Sequence, residues 1–325
     1  MRGVELPMNY MMTKRGEPFL MHDSGAEDEE RVLIFSTQEN VRHLSASATL
    51  FCDGTFKTAP TQFAQLFTVH GVVLGYPVPL VYALTTRKRE QTHRYVHQRI
   101  IDYAEERNWS INPSLCMMDV ELANMNAIRS LLPNAEIKGC LFHFSQSLWR
   151  RISSSGLTSS YNAVKSDTRR CASMLFGLPF VHVEDVVETF EYIDNQAGES
   201  LDDLMGYTWN VYRAVLNDQH RTNNAVEGWH NKFQKLMVVH HPSIWKFIEV
   251  LKDEQEDNEQ AIAQMLGDHR QIRPATSRRY RQNQAQTTEV VKNYGTYKAN
   301  DQMDIYLKAI AYRLKCNPAE ADDQN

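Results

Sequence analysis

The sequence predicts a mixed α/β fold carrying an all-helical insertion, and three observations lead to it. Residues 48–56, 65–73 and 77–86 are successive β-rich apolar segments, separated by Pro60 and by the Gly75-Tyr76-Pro77 turn; this pattern predicts neighbouring antiparallel strands. Beyond Arg89 the apolar spacing changes to three- and four-residue steps and then alternates with short apolar runs, which predicts helices and strands in turn. From about residue 161 to 216 the pattern is helical, with no segment that reads as a strand.

Taken in order, residues 1–44 form a polar, turn-rich lead-in with Arg15-Gly16-Glu17-Pro18 and a charged stretch over 27–31. It closes on Val32-Leu33-Ile34-Phe35, a helix or an edge strand. After the three-strand meander, Val96, Ile100, Tyr103 and Arg107 mark a helix that ends at Asn112-Pro113. Residues 115–118 read as a fourth strand. Residues 122–132 read as a helix with Leu122, Met125, Ile128 and Leu132 on one face, residues 137–142 as a fifth strand, and Gln146, Leu148 and Trp149 as part of another helix. The resulting order, β-β-β-α-β-α-β-α, is that of a ribonuclease H-like mixed sheet.

The helical insertion, about 160–218, is interrupted by Gly177-Leu178-Pro179 and Gly198. A helix over 225–239 follows, and Pro242-Ser243 opens a long one through Phe247, Leu251 and Ile262. The segment after Gly267 is polar and is expected to be loosely ordered until a last helix near 305–314. The organisation is therefore a lead-in over 1–44, a ribonuclease H-like domain with its insertion over 45–240, and a helical C-terminal region with a polar tail over 241–325. No internal repeat is evident.

With 325 residues and 42% hydrophobic content, the chain is long enough for a sizeable core and one or two domains. No apolar run approaches the ~18 residues of a membrane span, and the N-terminus lacks the apolar stretch of a secretory signal. An intracellular protein is expected. Five scattered cysteines, Cys52, Cys116, Cys140, Cys171 and Cys316, with no Cys-x-x-Cys pair, fit reduced thiols better than a disulfide framework. A net charge of -5 argues against a wholly basic nucleic-acid-binding domain. Basic clusters at Lys14-Arg15, Arg87-Lys88-Arg89, Arg150-Arg151, Arg169-Arg170 and Arg278-Arg279-Tyr280-Arg281 nonetheless permit a local phosphate-binding surface, although each alone is most often a solvated face.

Three acids stand out. Asp53 lies towards the end of the first meander strand, Asp119 at the end of the fourth strand, and Glu227 near the start of an amphipathic helix whose apolar face is Val226, Trp229, Phe233 and Met237. Carboxylates are hard ligands for Mg2+ or Mn2+, and three that converge from distant positions suit two-metal phosphodiester chemistry. Each has a structural alternative. Asp53-Gly54 is a common turn dipeptide, Asn224 and Glu227 have the spacing of a capping box, and Glu121 competes with Asp119 or is a charge at a helix N-terminus.

Cys140 and His143 form a Cys-x-x-His, half of a zinc site with no second half at finger-like spacing. The alternatives are a buried cysteine with a hydrogen-bonded histidine, and an active-site histidine. His240-His241 reads as a polar helix end. Trp149, Trp209, Trp229 and Trp245 read as core rather than as base-stacking platforms.

The segments Asp53-Gly54-Thr55-Phe56-Lys57, Gln65-Leu66-Phe67-Thr68-Val69-His70-Gly71, Asp119-Val120-Glu121-Leu122-Ala123 with Asn126-Ala127, and Gly139-Cys140-Leu141-Phe142-His143-Phe144-Ser145-Gln146 together resemble the MULE (Mutator-like element) transposase domain. Asn223-Asn224-Ala225-Val226-Glu227-Gly228-Trp229-His230 resembles its downstream part, so that the likeness runs from about 45 to 240. The resemblance implies a DDE-type transposase that cuts and joins DNA at terminal inverted repeats with Mg2+ or Mn2+, in the nucleus and as a homo-oligomer. Asp53, Asp119 and Glu227 would be its metal-binding triad, and Cys140 with His143 its accessory Cys-x-x-His signature. Arg15-Gly16-Glu17-Pro18-Phe19 looks like the stretch that follows a FLYWCH finger in animal relatives, here without the finger. The alternative is a catalytically inactive, host-adopted or truncated derivative that binds DNA or protein.

Overall fold

The computed structural model describes residues 4–119, 121–163, 166–197, 224–268 and 278–314. The chain divides into two compact units. One is formed by 1–138 with 223–272, and the other by 139–222 with 273–325.

The first unit is built on a seven-stranded mixed sheet of β1 (Leu20–Asp23), β2 (Val32–Phe35), β3 (Thr49–Thr55), β4 (Gln65–Val73), β5 (Tyr76–Thr85), β6 (Leu115–Met118) and β7 (Glu136–Gly139), in the order β1-β2-β5-β4-β3-β6-β7. The predicted meander is present, with β3 antiparallel to β4 and β4 to β5. Strand β6 joins parallel to β3, pairing Cys52 with Met118. That connection runs through α3 (Glu90–Glu105), as a parallel pair requires.

Two expectations for the lead-in change. Val32–Phe35 is a strand, but an inner one: all four residues are buried and it pairs with both β1 and β5. Its extra neighbour β1 is fixed by Arg31, which is 2% exposed, grips the Asp23 carboxylate through Nε (2.9 Å) and Nη2 (2.6 Å), and donates from Nη1 to the Val4 carbonyl at 2.7 Å. This ion pair links positions eight apart, and apolar patterning does not register it. A one-turn helix α1 (Met8–Met11) lies in the lead-in, and helix α2 (Gln38–Ser45), also unanticipated, starts where the Thr37 hydroxyl accepts from the Asn40 amide at 3.2 Å.

Both faces of the central strands are covered, which explains the near-continuous burial of β3, β4 and β5. Leu50, Cys52, Phe67 and Val69 face α2 and α3. The Phe67 ring lies edge-on to His93 and His97, while Leu44, Leu50, Val69, His97 and Ile100 enclose a small apolar gap. On the other face, Leu33, Phe35, Leu66, Tyr82 and Leu84 pack with Trp229, Phe233, Phe247, Ile248 and Leu251. Those residues come from two later helices, one over Asn224–Met237 and one over Ile244–Asp268. The second begins as predicted, with the Ser243 hydroxyl accepting from the Lys246 amide at 3.3 Å.

The second unit is helical in its described residues. Helix α4 (Leu122–Leu131) belongs to the first unit, and α5 (Leu141–Ser154) opens the second, followed by α6 (Thr158–Asn162), α7 (Asp167–Gly177) and α8 (Val186–Ala197). The later helices are then α9 (Asn224–Met237), α10 (Ile244–Asp268), α11 (Arg278–Lys292), α12 (Tyr294–Ala299) and α13 (Met303–Leu314). The fifth strand is shorter than expected. It stops at Gly139, because Leu141, Phe144, Leu148 and Ile152 recur at helical spacing and bury one face of α5.

The polar stretch expected to be loose contains α11 and α12 over residues 278–299. Val290, Val291 and Tyr294 bury against Tyr306, Leu307 and Ile310 of α13 in one apolar cluster. Gly177 allows α7 to approach α13 closely, since a Cβ there would stand 2.7 Å from the Leu307 carbonyl oxygen. The rest of the predicted insertion (198–218, with Trp209), residues 219–223 and 269–277, and the tail from 315, with Cys316, lie outside the described residues. No described helix is long and apolar enough to cross a membrane.

Candidate active site

The parallel pairing of β3 and β6 decides where the first two acids go. Cys52 is in register with Met118, so Asp53 and Asp119 occupy the next positions along adjacent chains, roughly 5 Å apart at the backbone. Asp53 is still inside β3 and only 7% exposed, whereas Asp119 is half-buried just past the end of β6. Because the side chains of a strand alternate, Asp53 shares its face with Phe51 and with the antiparallel partner Thr68, beneath α9.

Helix α9 crosses this point. Val226 is fully buried against Phe51 and Met117, and one turn later His230 Nε2 lies 3.5 Å from Asp53 Oδ2. Glu227 sits between them on the same helix, half-buried and three residues before His230. Residues at that spacing are neighbours on a helix face. The structure therefore brings the backbones of Asp53 and Asp119 side by side, and Glu227 lies on the helix that packs over Phe51 and Met117 and reaches Asp53 through His230. The side chain of Asn224 lies outside the described residues, and with it the capping-box alternative for Glu227.

The Asp53 carboxyl is held by little. The Gly54 amide donates to Oδ1 at 2.9 Å. His230 Nε2 is also 3.3 Å from the Thr68 hydroxyl, which in turn is 3.1 Å from His70 Nε2. Burial, then the nearby charge of Asp119, and to a lesser degree Glu121, push the Asp53 carboxyl up to about 8; the Gly54 amide opposes them. Burial, with His230 beside it, holds His70 well below the usual imidazole range. The result is a buried carboxyl crowded by other acids, with no Lys or Arg salt bridge among the described residues to neutralise it.

Glu121 is the N-cap residue of α4, but its side chain makes no cap bond; its carboxylate lies 3.4 Å from His93 Nε2 instead. Beyond it the rim carries Lys88, whose ammonium is lowered by burial and raised by Glu121. Cys140, in the second unit, is the fully buried N-cap of α5, and its carbonyl accepts from the Phe144 amide at 3.1 Å. His143 is half-buried in the first turn of the same helix, edge-on to Phe142.

Three tryptophans are packed within the structure. Trp229 donates to Glu254 at 2.8 Å, Trp149 packs edge-on to Tyr161, and Trp245 packs against Tyr10. Sequence reasoning missed Thr68, His70 and His230 as companions of Asp53. A signal existed, since Thr68 and His70 are polar at alternate positions of an otherwise apolar strand, and His230 follows Glu227 by one turn.

Residues 49–147 match the family model of the MULE transposase domain. This segment thus bears out the resemblance read from the sequence and supports a transposase-related function for the protein. The match spans β3 to the middle of α5, taking in Asp53, Asp119, Cys140 and His143, and ends before Glu227. A search of curated proteins gave no match.

Proposed function

We propose that the first unit is a ribonuclease H-like catalytic domain of the DDE type, which cleaves DNA at transposon ends and transfers the freed strand. The observation that carries the proposal is the adjacency of Asp53 and Asp119 on a parallel strand pair, with Glu227 on the covering helix. The chain order, three antiparallel strands followed by parallel β6 and alternating helices, supports the fold assignment, and the matched family model supports the activity.

The donor set suits Mg2+ or Mn2+. All three side chains offer hard oxygens, and the electrostatic crowding that burial imposes on Asp53 is the kind that a divalent cation relieves. Asp53, Asp119 and Glu227 would hold the metal, which supplies Lewis-acid stabilisation of the attacking and leaving phosphodiester oxygens. The protein's own part is to fix the ligands. Gly54 and His230 orient Asp53, the Thr68 hydroxyl links His230 to His70, and the apolar packing of Val226 on Phe51 and Met117 sets the height of α9 over the sheet.

DNA is accordingly the substrate, the nucleus the place of action, and a homo-oligomer the form that would bring two ends together. The test is incubation of the purified protein with its element's terminal inverted repeats and Mg2+ or Mn2+. Nicked and joined products with authentic ends are expected from the native protein and none from Asp53→Asn. DNA binding without such products would leave the non-catalytic, host-adopted module instead.

A further inference from the structure

An exposed aromatic ring stands three residues beyond Asp53. Strand β3 ends at Thr55, and the next residue, Phe56, is 48% exposed although Thr58 and Ala59 just after it are almost wholly buried. The ring is therefore on the surface while its loop is not free. The Ala59 amide donates to the Phe56 carbonyl at 3.2 Å, the His241 amide to the Lys57 carbonyl at 3.0 Å, and His241 Nδ1 lies 3.1 Å from the Ala59 carbonyl. The loop is thereby pinned to the α9–α10 turn.

That turn is itself strained. Val238 and His241 adopt positive φ angles of 65° and 51°, and Val238 is 83% exposed. A β-branched residue in the left-handed region is an outlier, and such strain persists where the surrounding structure requires it.

Lys88 Nζ stands 3.1 Å from the centre of the Phe56 ring. Neither Lys88 nor Lys57 forms an ion pair with a described residue, whereas Arg87 and Arg89 both engage Glu30. Phe56 is thus a half-exposed apolar ring on a pinned loop, with the Lys88 ammonium on its face, Lys57 next in sequence, and only the charge of Glu121 acting on Lys88. Its chemistry suits a nucleobase stacked on the ring and a phosphate beside the ammonium groups, the combination used for single-stranded nucleic acid. Bases within a duplex are already stacked on one another, so a ring of this kind favours an unpaired nucleotide.

We infer that Phe56, with Lys88 and Lys57, forms a stacking platform for an unpaired base of the DNA strand next to the acid site. The inference rests on the proposed nucleic-acid function but not on cleavage. It is tested on the full chain in EDTA, by fluorescence anisotropy with a labelled single-stranded oligonucleotide and with the corresponding blunt duplex. Phe56→Ala is expected to weaken single-strand binding roughly tenfold and leave duplex binding unchanged, with Phe56→Trp restoring it. Lys88→Gln should reduce the slope of log affinity against log salt by about 0.7 for the single strand.

Absence of single-strand binding by the native protein overturns the inference. So does native-like binding by Phe56→Ala, an equal loss on duplex and single strand, or failure of tryptophan to restore binding. The two proposals fail separately. Phe56-dependent binding by a protein that cleaves nothing would sink the catalytic reading alone, while Phe56-independent binding by a competent nuclease would sink only the platform.

Discussion

The two units bury different kinds of residue. Among the described residues, the buried polar side chains belong to the first unit except for Thr189 and Thr287; they include Arg31, Asn40, Asp53, Thr68, His70, His93, His97, Asn124 and Glu254. The second unit closes on an almost purely apolar cluster from Leu141 to Ala311. Burying a polar group costs free energy unless partners are supplied, and a charged one costs more. A unit that buries many such groups and partners most of them, yet leaves Asp53 crowded by acids, is built around something other than its own stability. The helical unit shows what the same chain does when only packing matters.

The sharpest way to break this comparison is at Asp53. Asp53→Asn keeps the shape and removes the charge that a divalent cation would need. Metal stabilisation of a phosphoryl transition state amounts to several kcal/mol, so cleavage of inverted-repeat DNA should fall by about 10³-fold or more, measured as product per unit time with Mn2+. Melting temperature in EDTA should not fall. A variant that cuts normally would leave the buried acid without a catalytic purpose.

In the second unit a substitution should act on stability instead. Ile310 is fully buried in the α7–α13 cluster, and Ile310→Ala should cost about 2–5 kcal/mol by urea denaturation. A loss below about 1 kcal/mol would mean that this core is not closed in solution.

An intermediate effect is expected at Glu254, which is 1% exposed and accepts from Trp229 Nε1 at 2.8 Å and from Lys232 Nζ at 2.9 Å. Glu254→Ala leaves the buried indole N–H without its acceptor and should cost about 1–3 kcal/mol. Trp229→Phe in that background should recover part of the loss, because it removes the orphaned donor. An additive double variant would show that the pair is not coupled.

The sequence reveals more of the sheet than of the site. Strands 65–73 and 115–118 are legible to the residue, because they are buried on both faces and bounded by turns. Helix α11 is less so, since its face of Thr287, Val290 and Val291 is narrow and the rest is polar. Strand β1 is hardest, for it depends on the Arg31–Asp23 pair and not on an apolar rhythm. Asp53 and Asp119 can be picked out because each ends or nearly ends a buried run. The grouping of Thr68, His70 and His230 around Asp53 cannot, because it depends on the register of β3 against β4 and on the position of α9, and both are tertiary.

The smallest effect is a slope, and its sign separates the crowded carboxyl from ordinary buried groups. Asp53 has a folded-state pKa of about 8, against 3.8 for an ordinary aspartate in water. Between about pH 4 and pH 8 the folded chain therefore keeps a proton that the unfolded chain has released, and stability declines as pH rises through that window, by at most about 1.4 kcal/mol per unit. His70 and His97 act in the opposite direction. Burial depresses both, so their contribution grows as pH rises towards the ordinary imidazole value and changes no further above it. The native protein and Asp53→Asn share those histidines, so the difference between their melting curves in EDTA isolates the acid. The native protein should lose ground to the variant steadily from about pH 4.5 to 8, and added Mn2+ should reverse the loss only where the carboxylate is present. Parallel curves across that range would mean that neither burial nor the neighbouring acids raise the Asp53 carboxyl, and the electrostatic case for a cation between the acids would fall with it.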